Sequence, residues 1–228
     1  MFPTGLTFTD HGEIGLICNL TNTYCLVGNG GSKNFYSSIE AELEDVIPII
    51  KTSIGGTCSV GRYCIGNKNG LLVPHTTTQE ELQHIRRSLP DGVIVAPIEE
   101  GLTSFGLFIA CNDHVALAHA DLRWEFKELI TDVLGVEVFM PEDSYSFFSG
   151  TYCVLSNRGG LIHPNASKKI LDEYSAALEV PFEPGTVNRG SVCLNPGMTV
   201  NDWTAFCGSS TTKSELCVID RVFKLREP

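Results

Sequence analysis

Nine cysteines and six histidines are the residues of this sequence best suited to covalent chemistry. A thiolate can act as a nucleophile when a histidine lies within hydrogen-bond reach and a third group orients that histidine. Three of the histidines lack the asymmetry that such a cluster needs, because His75, His119 and His163 recur at intervals of 44 residues. A recurring position is typical of a scaffold, and we therefore expect no catalytic residue in this chain.

The cysteines also favour packing over metal or disulfide chemistry. Their number is odd, no Cys-x-x-Cys pair is present, and the N-terminus does not resemble a secretion signal. Reduced cysteines in strands behave as small hydrophobic residues. We expect neither a bound metal nor a cofactor.

The glycine-rich residues 27–34 precede a predicted helix and could suggest a phosphate-binding loop. Their spacing matches neither a Walker loop nor a dinucleotide fingerprint. A tight turn with positive backbone angles explains Gly28, Gly30 and Gly31 more simply.

A repeat of about 45 residues organises the elements that would position any site. Similar apolar runs follow five asparagines that are 45, 45, 45 and 44 residues apart: Asn22, Asn67, Asn112, Asn157 and Asn201. Such periods are typical of arrays and propellers, in which each unit buries its apolar face against its neighbours. The repeat predicts one domain over residues 1–228, with units near 13–57, 58–102, 103–146, 147–187 and 188–228.

Each unit shows the same order of predicted elements, which is strand, strand, helix, strand. In the second unit, Leu82, Ile85 and Leu89 have helical spacing, and Thr78 with Glu81 predicts a capping box at the start of that helix. The other helices are predicted to start near Asn34, Asp121, Ser167 and Thr211. The returning strands are predicted at VIPII, VIVAPI, VEVFM, VPFEP and RVFKL.

The helix in every unit argues against a propeller of four-stranded blades, and no Trp-Asp signature recurs at the period. We predict an α/β fold in which five ββαβ units form a five-fold pseudosymmetric β/α propeller around an axial channel. Closing the ring removes the sheet edges that an open stack would expose.

The charge balance restricts the partners. The chain has 27 acidic and 16 basic residues, a net charge of -11, which opposes broad contact with phosphates and favours a basic protein surface. No apolar stretch approaches the roughly 20 residues that span a bilayer. We expect a soluble chain that binds a protein partner and no membrane.

Several long runs resemble the translation initiation factor 6 family, the ribosome anti-association factors of eukaryotes with archaeal relatives. The runs are LTNTYCLV, GLLVPHTTTQEELQHIRRSLPD, CNDHVALAHADL, DVLGVEVF, SNRGGLIHP, GTVNRGS and VNDWTAFCG. The resemblance extends from about Glu13 to Leu225 and touches all five units.

The resemblance implies a non-catalytic pentein ring, monomeric when free, that binds the joining face of the large (60S) ribosomal subunit. There it would contact ribosomal protein uL14 near the sarcin-ricin loop and block docking of the small (40S) subunit. A GTPase working with the Shwachman-Diamond protein would release it. The family's cycle places it in the nucleus, nucleolus and cytoplasm. Two alternatives stay open: a guanidine-modifying enzyme of the pentein type, and a scaffold module that binds no ribosomal subunit.

Symmetry predicts a docking surface at one end of the ring. Five glycines are predicted to open the first strand of successive units: Gly15, Gly61, Gly106, Gly150 and Gly190. Arg62, Leu107 and Thr151, which follow three of these glycines, would project from a common rim.

Large-subunit binding is assigned to this rim. The family's binding-sensitive positions match Gly15, Arg62 and Leu107, although the family usually has asparagine where this chain has Leu107. Arg189 in VNRGS is a further candidate. The alternatives are a turn glycine at Gly15, a solvated charge at Arg62 and a structural hydrogen-bonding role for Arg189.

Regulation is the least determined property. The paired serines of the family's fourth helix appear here as Ser175 followed by Ala176, which leaves Ser175 as a possible phosphorylation site; a helix-surface serine is the alternative. Because the sequence stops at Pro228, we expect no control by a C-terminal tail.

Overall fold

Five small sheets surround a common axis in the computed structural model, which describes residues 3–9, 11–98, 104–120, 122–141 and 150–225. Each sheet has three strands, which lie in the order inner, middle and outer from the axis. The inner and middle strands are antiparallel, and the middle and outer strands are parallel.

The strands follow the repeat. The inner strands are β2 (Cys18–Leu20), β5 (Ile65–Gly66), β8 (Ile109–Cys111), β11 (Cys153–Leu155) and β14 (Met198–Val200). The middle strands are β3 (Cys25–Gly28), β6 (Gly70–Pro74), β9 (Val115–Ala118), β12 (Gly160–Ile162) and β15 (Ala205–Gly208). The outer strands are β4 (Ile49–Thr52), β7 (Ile94–Ile98), β10 (Glu137–Phe139), β13 (Phe182–Pro184) and β1 (Thr4–Leu6).

Neighbouring inner strands meet around the axis, and β14 of the last unit contacts β2 of the first. A hydrogen bond of 3.3 Å from the Leu20 amide to Thr199 Oγ1 joins the same two units. The ring is therefore closed. The predicted five-fold pseudosymmetric α/β architecture, the pentein fold, is confirmed.

One long helix per unit covers the outside of the ring. These helices are α2 (Lys33–Leu43), α4 (Gln79–Ser88), α6 (Trp124–Leu134), α7 (Lys168–Ala177) and α9 (Lys213–Phe223). Each presents an apolar stripe to the sheets, as α2 does with the buried Phe35, Ile39 and Leu43. Helix α6 contacts β10 of its own unit and β6 and β7 of the preceding one, so the helices also hold neighbouring units together.

The helix starts agree with the sequence where the structure describes them. Ser32, Thr78, Ser167 and Thr212 are N-caps whose side chains accept a backbone N–H three residues later. The predicted capping box of Thr78 and Glu81 is confirmed. Asp121, near which the third helix was predicted to start, lies outside the described residues.

The returning strand predicted at RVFKL is wrong. Helix α9 continues through Phe223, and Val222 and Phe223 are buried on its apolar stripe. The outer strand of the fifth sheet is β1, which pairs parallel with β15 from Thr4↔Phe206 to Leu6↔Gly208. The N-terminal strand thus completes the sheet of the last unit. The fifth sheet therefore includes residues outside the predicted range 188–228.

The register of the five asparagines also needs a correction. In the turn that ends each inner strand, the first residue donates its N–H to the carbonyl three residues later, at 2.9 to 3.1 Å. That first position holds Thr21, Asn67, Asn112, Ser156 and Asn201. Asn22 and Asn157 therefore stand one residue further along. Spacing alone could not separate two adjacent polar positions of a turn.

The second turn position forms a polar clasp across the axis, made by Asn22, Asp113, Asn157 and Asp202. The amide of Asn22 donates to Asp113 Oδ2 at 2.7 Å and to Asp202 Oδ2 at 2.9 Å. The amide of Asn157 donates to the same two oxygens at 2.8 Å each. The polar clasp joins four of the five units at one end of the ring, which we call the turn end.

Two carboxylates hold loops against helix starts. Glu81 accepts hydrogen bonds from the amides of Gly55 and Gly56 in the hairpin before the second unit. Glu215 accepts hydrogen bonds from the amides of Arg189 and Gly190 in the matching hairpin at the start of the fifth unit. Burial alone would raise the pKa of both carboxyls, but these and further hydrogen bonds outweigh it and lower each pKa to about 2.

Replacing Leu161 with alanine tests the packing between units. Leu161 is fully buried in β12, within a cluster that includes Val222 and Phe223 of α9. We expect a loss of roughly 2 to 5 kcal/mol in the free energy of unfolding, measured by urea denaturation. The matched variant Ile94→Ala removes a side chain that is 53% exposed in β7 and should cost less than about 1 kcal/mol. Equal losses would contradict this packing.

Acid stability tests the Glu215 carboxylate. Its folded pKa, about 2, lies below the unfolded value of about 4.3, so its contribution is complete above about pH 5 and declines as the pH falls towards 2. We expect Glu215→Gln to lower the free energy of unfolding at pH 7 by roughly 1 to 3 kcal/mol.

The difference between Glu215→Gln and the wild type should shrink by pH 3. The control Glu137→Gln changes an exposed carboxyl in β10 and should stay within about 0.5 kcal/mol at both pH values. A difference for Glu215→Gln that is independent of pH would show that the charge of Glu215 contributes nothing.

Candidate functional site

The end of the ring opposite the polar clasp is built from single helical turns that precede the inner strands. They are α1 (Ile14–Ile17), α3 (Val60–Tyr63), α5 (Phe105–Phe108) and α8 (Leu194–Gly197). We call this the short-helix end. The fourth unit enters its inner strand through residues 150–152, which are in a turn conformation.

The glycines predicted to open the strands lie in these turns, one turn earlier than expected. Gly15, Gly61 and Gly106 are each the second residue of their short helix. In α8 the second residue is Asn195, so Gly190 is not the fifth equivalent. Gly190 has φ +94° in the hairpin before α8, a conformation that favours glycine for a reason unrelated to the contacts at the axis.

The axial glycines are needed because the backbones of neighbouring units touch. A Cβ built on Gly61 would lie 2.1 Å from the carbonyl oxygen of Gly15, and one on Gly106 would lie 2.1 Å from that of Gly61. A Cβ on Gly15 would lie 1.6 Å from the carbonyl oxygen of Asn195. Gly15 is therefore a close-contact glycine of the ring, and its side of the axis offers no room for a side chain.

The residues that follow form the predicted rim. At this third position stand Leu16, Arg62, Leu107, Thr151 and Pro196. The structure thus brings Arg62, Leu107 and Thr151 to one end of the ring. Arg62 is exposed, whereas Leu107 and Thr151 are half-buried.

Hydrogen bonds and ring contacts fix the rim. The amide and the hydroxyl of Thr151 both donate to the Leu107 carbonyl, at 3.2 and 3.3 Å. The Arg62 guanidinium lies 5.6 Å from the centre of the Tyr63 ring. The charged group of Arg62 therefore lies against an aromatic ring at an exposed position.

Three half-buried aromatic residues next to the rim were missed from the sequence: Tyr63, Phe108 and Tyr152. The ring of Phe108 packs edge-on against His119 at 6.0 Å, and that of Tyr152 packs against His163 at 5.5 Å. The signal that could have found them is their recurrence directly after Arg62, Leu107 and Thr151.

The histidine pairs show why these residues recur. His119 and His163 each donate their backbone N–H to the carbonyl of the aromatic partner, at 3.0 Å. Burial lowers the pKa of His163, and its Nδ1 accepts the Asn165 amide at 3.1 Å. These two histidines therefore support the surface beside the rim.

Arg189 does not lie on the rim. It occupies the hairpin before α8, with φ +61°, and its backbone N–H donates to Glu215 Oε2 at 3.2 Å. Its side chain is exposed. The backbone of Arg189 thus has the structural hydrogen-bonding role that was the alternative to an interface role.

Ser175 lies on α7 and is half-buried. Its hydroxyl accepts the backbone N–H of Phe182 at 3.1 Å and so holds the start of β13. Phosphorylation at Ser175 stays a prediction, and it would have to break this hydrogen bond.

Two small cavities lie on the axis, one of about 30 Å³ at the turn end and one of about 60 Å³ towards the short-helix end. Four thiols line the larger cavity: Cys18, Cys64, Cys111 and Cys153. Burial raises the pKa of all four, to about 12 for Cys111 and Cys153 and well above the usual value for Cys18. The thiols are therefore protonated at neutral pH, and no histidine is among the described residues that line this cavity.

Among the described residues, no group of three or more His, Cys, Asp or Glu side chains is arranged to hold a metal ion. No helix in the described part of the chain is long and apolar enough to cross a membrane. The short-helix end offers a surface shaped by close backbone packing, with Arg62 as an exposed cation on its rim.

Solved structures show only a loose likeness to this chain. A DDAH from Pseudomonas aeruginosa in complex with citrulline is 13% identical, with a TM-score of 0.48 over 75% of this chain and 68% of the other. A dimethylarginine dimethylaminohydrolase adduct gives 13% and 0.46. At this distance the likeness says nothing about activity.

Protein sequences show a much stronger likeness. Eukaryotic translation initiation factor 6-2 of Arabidopsis thaliana is 61% identical over 224 residues, which cover 98% of this chain and 91% of that protein. Eukaryotic translation initiation factor 6 of Drosophila melanogaster is 53% identical over 220 residues, which cover 96% and 90%. The model of the eIF-6 family matches residues 4–222. This chain belongs to the eIF-6 family.

Proposed function

We propose that this chain is a ribosome anti-association and large-subunit biogenesis factor. In this proposal it binds the joining face of the 60S subunit and blocks docking of the 40S subunit until it is released. Its membership of a family named for a translation initiation factor supports a role in translation. The observation that supports the proposed docking mode is that Arg62, Leu107 and Thr151 lie at equivalent positions of the short-helix end, with Thr151 hydrogen-bonded to Leu107.

The chemistry of the rim suits a protein interface. Leu16, Leu107 and the neighbouring aromatic rings are half-buried, and together they offer apolar contact area around the axis. Arg62 adds an exposed cation stacked beside Tyr63. Arginine and aromatic residues are the types that most often dominate binding energy at interfaces. Leu107, where the family usually has asparagine, would add apolar contact in place of a polar one.

We propose ribosomal protein uL14 near the sarcin-ricin loop as the main partner. The net charge of -11 favours encounter with a basic ribosomal protein, chiefly by steering the two surfaces together. In this proposal, as the family resemblance implies, release comes from a GTPase with the Shwachman-Diamond protein. The mechanism is occlusion and needs no bond to be made or broken by this chain. The protonated thiols of the axial cavity support a non-enzymatic role. The free protein would be a monomer that acts in nucleus, nucleolus and cytoplasm.

A subunit-joining assay tests the proposed function. Purified 60S and 40S subunits are mixed at a magnesium concentration that supports joining, and joining is followed by light scattering as the chain is added. Occlusion predicts that joining falls as 60S subunits become saturated, and that added 40S subunits do not relieve the block. Normal joining in the presence of saturating, folded chain would contradict the proposal.

Replacing Arg62 with glutamate tests the rim. Because Arg62 is exposed, the free energy of unfolding should change by no more than about 0.5 kcal/mol, while affinity for 60S subunits should fall at least tenfold. Affinity is measured by titrating labelled chain with 60S subunits, and stability by thermal melting. The matched control Arg87→Glu makes the same charge change on the outer helix α4, at another exposed position.

If only the rim contacts the 60S subunit, the affinity of the control Arg87→Glu for 60S subunits should be within about twofold of the wild-type value. Equal weakening by both variants would mean that total charge, and not the rim, controls binding. A parallel loss of melting temperature and affinity in Arg62→Glu would assign Arg62 to folding.

A further inference from the structure

One residue at the axis departs from the pattern of the ring. The second position of the axial turn is glycine in four units, Gly15, Gly61, Gly106 and Gly150, and asparagine in the fifth, Asn195. The backbone of Asn195 makes the same close approach as the glycines, since its carbonyl oxygen lies against Gly15. Its side chain is the feature that no other unit has at this position.

The Asn195 side chain reaches across the axis to a non-neighbouring unit. Its Nδ2 donates to the carbonyl of Gly106 at 2.7 Å, which joins the fifth unit directly to the third. Gly106 immediately precedes the rim residue Leu107. The amide of Asn195 therefore fixes the backbone from which Leu107 projects.

A chain of backbone hydrogen bonds passes through the same residues. The Asn195 N–H donates to the Thr151 carbonyl at 3.1 Å, and the Thr151 N–H donates to the Leu107 carbonyl at 3.2 Å. Together with the side-chain bond to Gly106, these contacts form a loop through three units: Asn195, Thr151, Leu107 and Gly106. Two of its four members are rim residues.

We propose that Asn195 is a positioning residue of the docking surface: its side-chain amide sets the relative placement of Leu107 and Thr151 for the partner. This inference rests on the proposed function, because it assigns Asn195 to the surface that would meet the large subunit. The half-buried location of Asn195 matters here, since a hydrogen bond shielded from water holds its geometry more firmly than an exposed one. Preorganisation of this kind raises affinity by reducing the ordering needed on binding.

The substitution Asn195→Asp tests the inference, because aspartate has the same size and lacks the Nδ2 donor. We expect affinity for 60S subunits to fall at least fivefold. A second variant, Asn195→Gly, restores the pattern of the other four units without introducing a charge, and we expect it to weaken binding at least threefold. The control Asn34→Asp makes the same change at an exposed position in the first turn of α2, and it should bind within twofold of the wild type.

Local hydrogen exchange separates positioning from general stability. In both Asn195 variants the Thr151 N–H should exchange at least tenfold faster, while the Leu161 N–H in β12 keeps its wild-type rate. The melting temperature should stay within about 3 °C of the wild type. A merely structural role would instead lower the melting temperature and speed exchange at both amides.

The failures are distinguishable. If the wild type does not bind 60S subunits, the proposed function fails and the docking role of Asn195 fails with it. If the wild type binds and both Asn195 variants bind equally well, the positioning role alone is overturned. Weakened binding together with selective exchange at Thr151 supports it.

Discussion

The ring depends on how closely backbone turns approach one another at its axis. At Gly15, Gly61 and Gly106 a single added carbon would lie 1.6 to 2.1 Å from a neighbouring carbonyl oxygen. Such contact leaves no freedom to shift one unit without moving the next. The positions of the rim residues that follow these glycines are therefore set by the whole ring, and a surface built on it is rigid before any partner arrives.

Different interactions join the units at the two ends of the ring. At the turn end, two aspartates share the amide hydrogens of two asparagines, and the polar clasp joins the units by charge-assisted hydrogen bonds. At the short-helix end, close backbone packing joins the units, together with the side-chain hydrogen bond from Asn195 to Gly106, and the rim side chains that follow differ between units. Five-fold pseudosymmetry thus gives a scaffold, and the differences at its equivalent positions give a surface that can recognise one partner in one orientation.

The sequence could predict the architecture because repetition and apolar periodicity survive divergence between the units. The 45-residue period gave the five-part ring, and Thr78 with Glu81 gave a helix start, since both patterns are local. The sequence could not predict which distant segments pair with one another. Residues 4–6 complete the last sheet, and a pairing between the two ends of the chain leaves no local signal in the sequence. Val222 and Phe223 suit a helix as well as a strand, so the local sequence could not decide between the two.

The candidate site was only partly predictable for a similar reason. The positions of Arg62, Leu107 and Thr151 follow from symmetry, and the structure places them together. Asn195 was missed because a glycine was expected at the equivalent position of every unit, and Gly190 was chosen in the fifth. Gly190 is a glycine for another reason, its positive φ in a hairpin. The aromatic rings beside the rim were missed because their role appears only when neighbouring units and the histidines that follow the middle strands are in place.

The central claim is that the short-helix end, and not the turn end, meets the large subunit. Photo-crosslinking from defined positions tests it directly: a photoreactive amino acid replaces Leu107 at the short-helix end or the exposed Lys68 at the turn end, and each chain is irradiated with 60S subunits. Our account predicts efficient crosslinks to a large-subunit protein from position 107 and none from position 68. Crosslinks from position 68 alone would place the opposite end of the ring on the ribosome and contradict the account.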